Sequence, residues 1–133
     1  MFWSLLPVLF LFGATSAVTT TFHFNGTVSC NRTGQFAYQI IVIEDDFPLL
    51  QDTLLISNFS VRQSSPSPYS LIATDTGDGP LDPNYEIYYL VYHDCCLNTH
   101  SRVYKFFYLG SIPVVDGDVN HTYNFDVTEK GCP

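Results

Sequence analysis

Apolar and polar residues alternate along most of this chain, and no segment sustains a helical period. In Phe22-His23-Phe24-Asn25-Gly26-Thr27-Val28-Ser29-Cys30, one parity holds Phe22, Phe24, Gly26, Val28 and Cys30; the other holds His23, Asn25, Thr27 and Ser29. Successive side chains of a strand point to opposite faces, so this pattern predicts a strand that buries the first set and offers the second to water. Residues 36–43 predict a second strand, rich in β-branched and aromatic side chains and closed by Glu44-Asp45-Asp46. Its Ile41 and Ile43 make the second face apolar too, which points to cover on both sides or to an interface. Further strands are expected over 53–59, 69–74, 85–92, 103–109 and 121–127, the last with His121, Tyr123, Phe125 and Val127 on one face.

The breaks between these runs have their own chemistry. Residues 64–68 carry two prolines and predict a loop, because proline fixes the backbone and removes a donor. Residues 75–83 are turn-formers throughout. Their aspartates lack the alternate-position ligands and closing glutamate of an EF-hand, so they read as a plain loop. Six to seven short strands without a helix predict an all-β fold, an antiparallel β-sandwich of about seven strands.

Composition narrows the function classes. The chain has 133 residues, with five Lys+Arg against 13 Asp+Glu for a formal charge of −8. Such a surface repels phosphate, which disfavours nucleic acid and anionic membrane as partners. Only 14% of residues are charged while 16% are aromatic, which is opposite to the composition of disordered chains.

Residues 2–12 (FWSLLPVLFLF) are almost wholly apolar and are followed by Gly13, Ala14, Thr15, Ser16 and Ala17. An apolar core ending in small residues predicts a secretory signal peptide over 1–17, with cleavage after Ala17 and a cut after Ser16 as the near alternative. The run is shorter than the roughly 20 residues a bilayer requires, and Ser4 and Pro7 interrupt it. Residues 18–133 are then one secreted domain without a membrane-inserted segment after cleavage.

Four cysteines fall in that domain: Cys30, Cys95, Cys96 and Cys132. An even number in a small secreted chain predicts two disulfides. Joining the neighbours Cys95 and Cys96 would distort the peptide between them. Cys30–Cys95 with Cys96–Cys132, or Cys30–Cys96 with Cys95–Cys132, both remain open. His93 and His100 lie near the vicinal pair, but zinc motifs separate two cysteines by two to four residues, so no metal is expected. The glycosylation pattern occurs at Asn25, Asn31, Asn58 and Asn120, which are expected at the surface as glycan sites.

Three segments together resemble the nematode transthyretin-like family of secreted proteins. One is Gly26-Thr27-Val28-Ser29-Cys30, followed by a strand ending in Glu44-Asp45-Asp46, with Asp52 shortly after. The most specific is Asp82-Pro83-Asn84-Tyr85-Glu86-Ile87, leading to Tyr92-His93-Asp94-Cys95. The third runs from Tyr104 to Ile112-Pro113 and on to His121-Thr122-Tyr123-Asn124-Phe125. The chain departs from the family in lacking its mid-chain Gly-x-Phe turn and in placing Cys96 directly after His-Asp-Cys. The resemblance implies a transthyretin-like sandwich of seven or eight strands. It also implies a role in extracellular recognition or in carrying a small hydrophobic ligand.

Transthyretin-fold relatives include 5-hydroxyisourate hydrolases, marked by internal histidines, an arginine and a Tyr-Arg-Gly-Ser tetrapeptide. This chain has no such tetrapeptide, His23 falls on a polar parity, and Arg32, Arg62 and Arg102 lie in or beside expected loops. No nucleophile–base pair has a recognisable spacing, so no enzyme activity and no cofactor are expected. His93 and Asp94 are adjacent on a strand and point to opposite faces; His93 is expected as a partly buried histidine near the disulfides. The cluster Tyr85, Tyr88, Tyr89 and Tyr92, with Tyr104, Phe106, Phe107 and Tyr108, supplies either core or a binding face. Tyr88 and Tyr92 share a parity with Glu86 and are the candidates for an outer binding face. The expected function is a secreted, non-enzymatic protein that contacts an extracellular protein or cell surface, or else carries a small hydrophobic ligand.

Overall fold

The computed structural model describes residues 17–45, 53–77 and 83–133. The expected signal peptide lies outside the described residues except for Ala17, as do Asp46, Asp52, Asp78 and Asp82. Of the side chain of Asn58, one of the four sequons, nothing is described.

Eight strands follow one another: β1 (Thr19–Ser29), β2 (Gln35–Glu44), β3 (Thr53–Ser64), β4 (Ser67–Thr76), β5 (Asn84–His93), β6 (Val103–Pro113), β7 (Gly117–Thr122) and β8 (Phe125–Asp126). No helix occurs among the described residues. The strands form two four-stranded sheets, one in the order β3-β2-β5-β6, the other β4-β1-β7 with β8 also paired to β1. Each sheet has one row of apolar side chains that must leave water, and facing the two rows satisfies both. Phe22, Phe24 and Val28 of β1 meet Phe36, Tyr38, Ile40 and Val42 of β2 and Tyr85, Ile87, Tyr89 and Val91 of β5 in this core. Full burial of such a side chain contributes about 1.5–3 kcal/mol.

Tyr89 is the hub of the core. Its ring lies 5.8 Å from Phe24, 5.9 Å from Tyr69 and 5.9 Å from Phe125, each at a steep angle. Edge-to-face contact suits the ring quadrupoles and adds about 0.5–1.5 kcal/mol per pair beyond area burial. The Tyr69 hydroxyl donates to the Tyr123 carbonyl at 2.6 Å and lies 3.5 Å from the Tyr89 hydroxyl. Burial pushes the Tyr69 phenol up to about 12 and the Tyr89 phenol higher still, so both are neutral at any physiological pH.

The alternation in β1 is as the sequence predicts: Phe22, Phe24, Val28 and Cys30 are buried, while His23, Asn25, Thr27 and Ser29 are partly exposed. Four local expectations change. The loop expected over 64–68 shrinks to Ser65-Pro66, and Pro68 sits inside β4, opposite Thr27. β4 is an edge strand, where a proline has a free side to face. Asp75 and Thr76, expected in a loop, extend β4. The single strand expected over 121–127 is split into β7 and β8 at Tyr123-Asn124. Finally, β7 and β8 run parallel to β1, whereas every other pairing between the named strands is antiparallel.

The split has a local cause. At the break the Tyr123 carbonyl closes on Gly26, the Tyr123 N–H donates to the Asn25 carbonyl at 2.9 Å, and the side chain of Asn124 takes over as acceptor for the Thr27 N–H at 2.9 Å. The ladder resumes with Phe125 beside Val28.

Two disulfides tie the ends of the chain to its middle. They are Cys30–Cys95 and Cys96–Cys132, with Cα separations of 6.0 and 5.9 Å, so the adjacent cysteines take different partners. Among the described residues no cysteine is free.

Candidate functional site

The outer face of the β3-β2-β5-β6 sheet gathers the side chains that the core leaves out. Because β5 pairs with β2 on one side and β6 on the other, its outward residues organise three cross-strand rungs. Ile43, Tyr88 and Tyr108 form one, Ile41, Leu90 and Phe106 the next, and Gln39, Tyr92 and Tyr104 the third. Rings meet across these rungs: Tyr88 lies 4.8 Å from Tyr108, and Tyr92 lies 5.9 Å from Tyr104. Along β6, Tyr104 and Phe106 contact edge to face at 5.8 Å. Such pairs are the unit of sheet stabilisation, and here they also hold an aromatic surface in a fixed arrangement.

Tyr88 and Tyr92 thus stand on the outer face, as their parity predicts, and both are half-buried. The more exposed rings are on β6: Tyr104, Phe106 and Tyr108 are 60%, 61% and 51% exposed. Parity along 103–109 was the available signal, but Lys105 falls on the inward row and obscures it. Lys105 spans the open edge of the core, with its ammonium 2.9 Å from Glu129 and 3.3 Å from the Thr128 carbonyl. An inward charge on an edge strand also discourages unwanted strand pairing.

The two ends of this face differ in charge. At one end a hollow of about 300 Å³ is lined by Ile43, Asp45, Tyr88 and Phe106. Partial burial and the neighbouring Asp45, Tyr108 and Glu86 push the Tyr88 phenol up. At the other end a more polar cleft of about 260 Å³ includes Arg62, Tyr92, Asp94, His100 and Arg102 in its lining. The Arg102 guanidinium lies 5.3 Å over the Tyr92 ring and donates to Gln39 Oε1 at 2.8 Å. Tyr92 therefore belongs to both the aromatic face and the cleft.

Asp94 organises that cleft. Its carboxylate accepts from the Ala37 N–H at 2.7 Å and from Arg62 at 2.9 Å, with Arg32 4.0 Å away. Burial would raise this carboxyl, but the Ala37 N–H and the two arginines outweigh it and hold it below the usual carboxylate range. Arg32 also donates to the Asp94 carbonyl at 2.6 Å. The Asp94 N–H continues the β5–β2 ladder by one bond, to the Ala37 carbonyl at 3.1 Å.

His93 points the other way and is 1% exposed, deeper than the partial burial expected from sequence. Its Nδ1 accepts from the Cys95 N–H at 3.3 Å, while Nε2 has no partner among the described residues. Burial first, then the charge of Lys105, lowers its pKa against the opposing pull of Glu129 and Asp94. His-Asp-Cys is thus a structural unit here: a buried neutral imidazole, a carboxylate that binds arginines, and a disulfide to β1.

The remaining candidates are dispersed. His23 lies on the outer face of the other sheet, 2.8 Å from Asp118. Asn31 and Asn120 are exposed, and Asn25 is half-buried with its Oδ1 accepting from Ser70 at 2.8 Å. No group of three or more potential metal ligands occurs among the described residues. The sulfurs of Cys95 and Cys96, beside His93, are in disulfides.

The chain is 32% identical over 80 residues to the uncharacterized protein B0416.7 of Caenorhabditis elegans, a match that covers 60% of this chain and 59% of that protein. The chain thus spans about three fifths of the length of the curated relative it matches. No family model and no solved structure matches it.

Proposed function

We propose that this is a secreted, non-enzymatic recognition protein of the transthyretin-like type, which binds an extracellular protein or cell-surface partner through the outer face of the β3-β2-β5-β6 sheet. The observation that carries the reading is the row Tyr104, Phe106 and Tyr108, three large rings at successive outward positions of an edge strand. Exposed contiguous aromatic area on a rigid sheet favours association, because the rings bury much surface while few rotamers are lost. The neighbours Ile41, Ile43 and Leu90 extend the patch. Two disulfides in a small all-β chain are the usual pattern of an extracellular protein. A sandwich of eight strands agrees with the number that the family resemblance implies, and the similarity to a nematode protein is in keeping with it.

A carrier of a small hydrophobic ligand is the second reading. The hollow beside Tyr88 and Phe106 favours it, although that hollow is shallow and open on the outer surface. The space between the sheets is occupied by the ring cluster around Tyr89.

The test is capture on live cells: the secreted protein is labelled, applied and cross-linked to its neighbours. A variant carrying Tyr104→Ser, Phe106→Ser and Tyr108→Ser is expected to lose the cross-linked partner while keeping both disulfides. Undiminished capture by that variant would remove the assignment of recognition to this face, and no captured partner at all would remove the recognition reading. A stoichiometric thermal shift with a lipophile, abolished by the same variant, would favour the carrier.

A further inference from the structure

The chain has three arginines and a formal charge of −8, yet all three arginines converge on one end of one sheet face. Arg62 and Arg102 line the cleft beside Tyr92, and Arg32 stands behind Asp94. Asp94 is the one carboxylate among the residues that line this cleft, so Arg62 and Arg102 leave an excess of one positive charge there, with Arg32 adding to it from behind. Each guanidinium offers five N–H donors. One from Arg62 is engaged with Asp94 and one from Arg102 with Gln39. The Arg62 side chain is 55% exposed, so its other donors are accessible to a ligand. Arg102 is exposed, lies over the Tyr92 ring and forms no ion pair among the described residues.

We propose that this cleft is a carboxylate-binding subsite, for a ligand that carries its carboxylate beside an apolar or aromatic group. Arg62 and Arg102 take the carboxylate in charge-assisted hydrogen bonds, and His100 borders the same space. Tyr92 and Tyr104 take the apolar group, because Tyr92 is the wall shared by the cleft and the aromatic face. The inference rests on the outer face being the contact surface, and it names the chemistry a partner presents at one end of it. The carboxylate has two possible sources, a free organic acid or an acidic side chain of a protein beside an apolar residue. The negative remainder of the molecule repels anions, which confines their binding to this end.

The experiment is NMR titration of the secreted chain with its disulfides intact, read at the arginine side-chain N–H signals. Three arginines allow assignment by single substitution. The probes are phenylacetate, acetate, 2-phenylethanol and the blocked dipeptide N-acetyl-Phe-Asp-amide. Phenylacetate or the dipeptide is expected to bind saturably, about tenfold more tightly than acetate or phenylethanol, and more weakly as salt rises. The tighter of the two identifies the source. R102Q is expected to weaken binding about tenfold, and K130Q, an equal change in net charge at an exposed site, to leave it unchanged. Equal weakening by the two variants, no saturation, or acetate matching phenylacetate would overturn the subsite. Partner capture dependent on the β6 rings without carboxylate binding overturns the subsite and leaves the face standing. Carboxylate binding with capture that ignores those rings upholds the subsite and removes the face.

Discussion

A β-carbon added to Gly26 would lie 2.0 Å from the carbonyl oxygen of Tyr123. That distance is far inside van der Waals contact, and the obstacle is backbone, which has little freedom to yield. Gly26→Ala is therefore expected to cost about 1–3 kcal/mol, the range for overpacking a tight site. Urea denaturation followed by tyrosine fluorescence measures it; an unchanged midpoint would mean that β7 and β8 do not dock on β1 as described.

Each disulfide encloses a long loop, with sequence separations of 65 and 36 residues. On the chain-entropy account each contributes about 4 kcal/mol. Replacing Cys30 and Cys95 together by serine, or Cys96 and Cys132 together, is expected to lower stability by roughly that amount in each case. Partial reduction with stepwise alkylation, which does not depend on cleaving between Cys95 and Cys96, is expected to release Cys30 with Cys95 and never with Cys96.

His93 links stability to pH. Its folded pKa lies below its unfolded value, so the unfolded chain takes the proton first as pH falls. The contribution of the neutral imidazole is complete above about pH 6.5 and is lost as pH drops below it. The urea midpoint is expected to fall between pH 7 and pH 5, and to fall less in His93→Gln. Asp94 has the same sign at lower pH: its depressed carboxyl stabilises the fold above its ordinary carboxylate pKa and ceases to do so as pH falls through its folded value.

Phe106 is 61% exposed, so its removal sacrifices little burial. Phe106→Ser is expected to lower stability by no more than about 1 kcal/mol, the scale of its cross-strand pairing with Leu90 and its ring contact with Tyr104. The same substitution is expected to weaken partner binding by tenfold or more, because central aromatic contacts dominate interface energy. A large loss of stability would instead make Phe106 a core residue.

The parity of β1 and β5 was legible in the sequence because each strand puts one clean row of large apolar side chains between the sheets, whereas Ile41 and Ile43 gave β2 two apolar faces and left its inner one open. Tyr88 and Tyr92 could be assigned outward through Glu86 for the same reason. The strand over 103–109 was legible but its faces were not, because Lys105 interrupts the inner row to meet Glu129 while Tyr104, Phe106 and Tyr108 make the outer row as apolar as the inner. Periodicity makes residues 121–127 one strand because the break depends on the approach of Tyr123 to Gly26, 97 residues away in sequence and invisible to periodicity. Disulfide pairing stayed open because both cross-connections close similar loops. The arginine cluster was hidden for a similar reason: Arg32, Arg62 and Arg102 lie in three separate segments, and the β3-β2-β5 register together with Asp94 brings them together.

The central claim is that recognition uses one sheet face and not the other. Placing the photo-cross-linking residue p-benzoylphenylalanine at Phe106, or at Ile72 on the outer face of the opposite sheet, tests it most directly, since Ile72 is 64% exposed and matches Phe106 in accessibility. A partner adduct from position 106 and none from position 72 is the expected result; an adduct from position 72 alone, or equally from both, would contradict it.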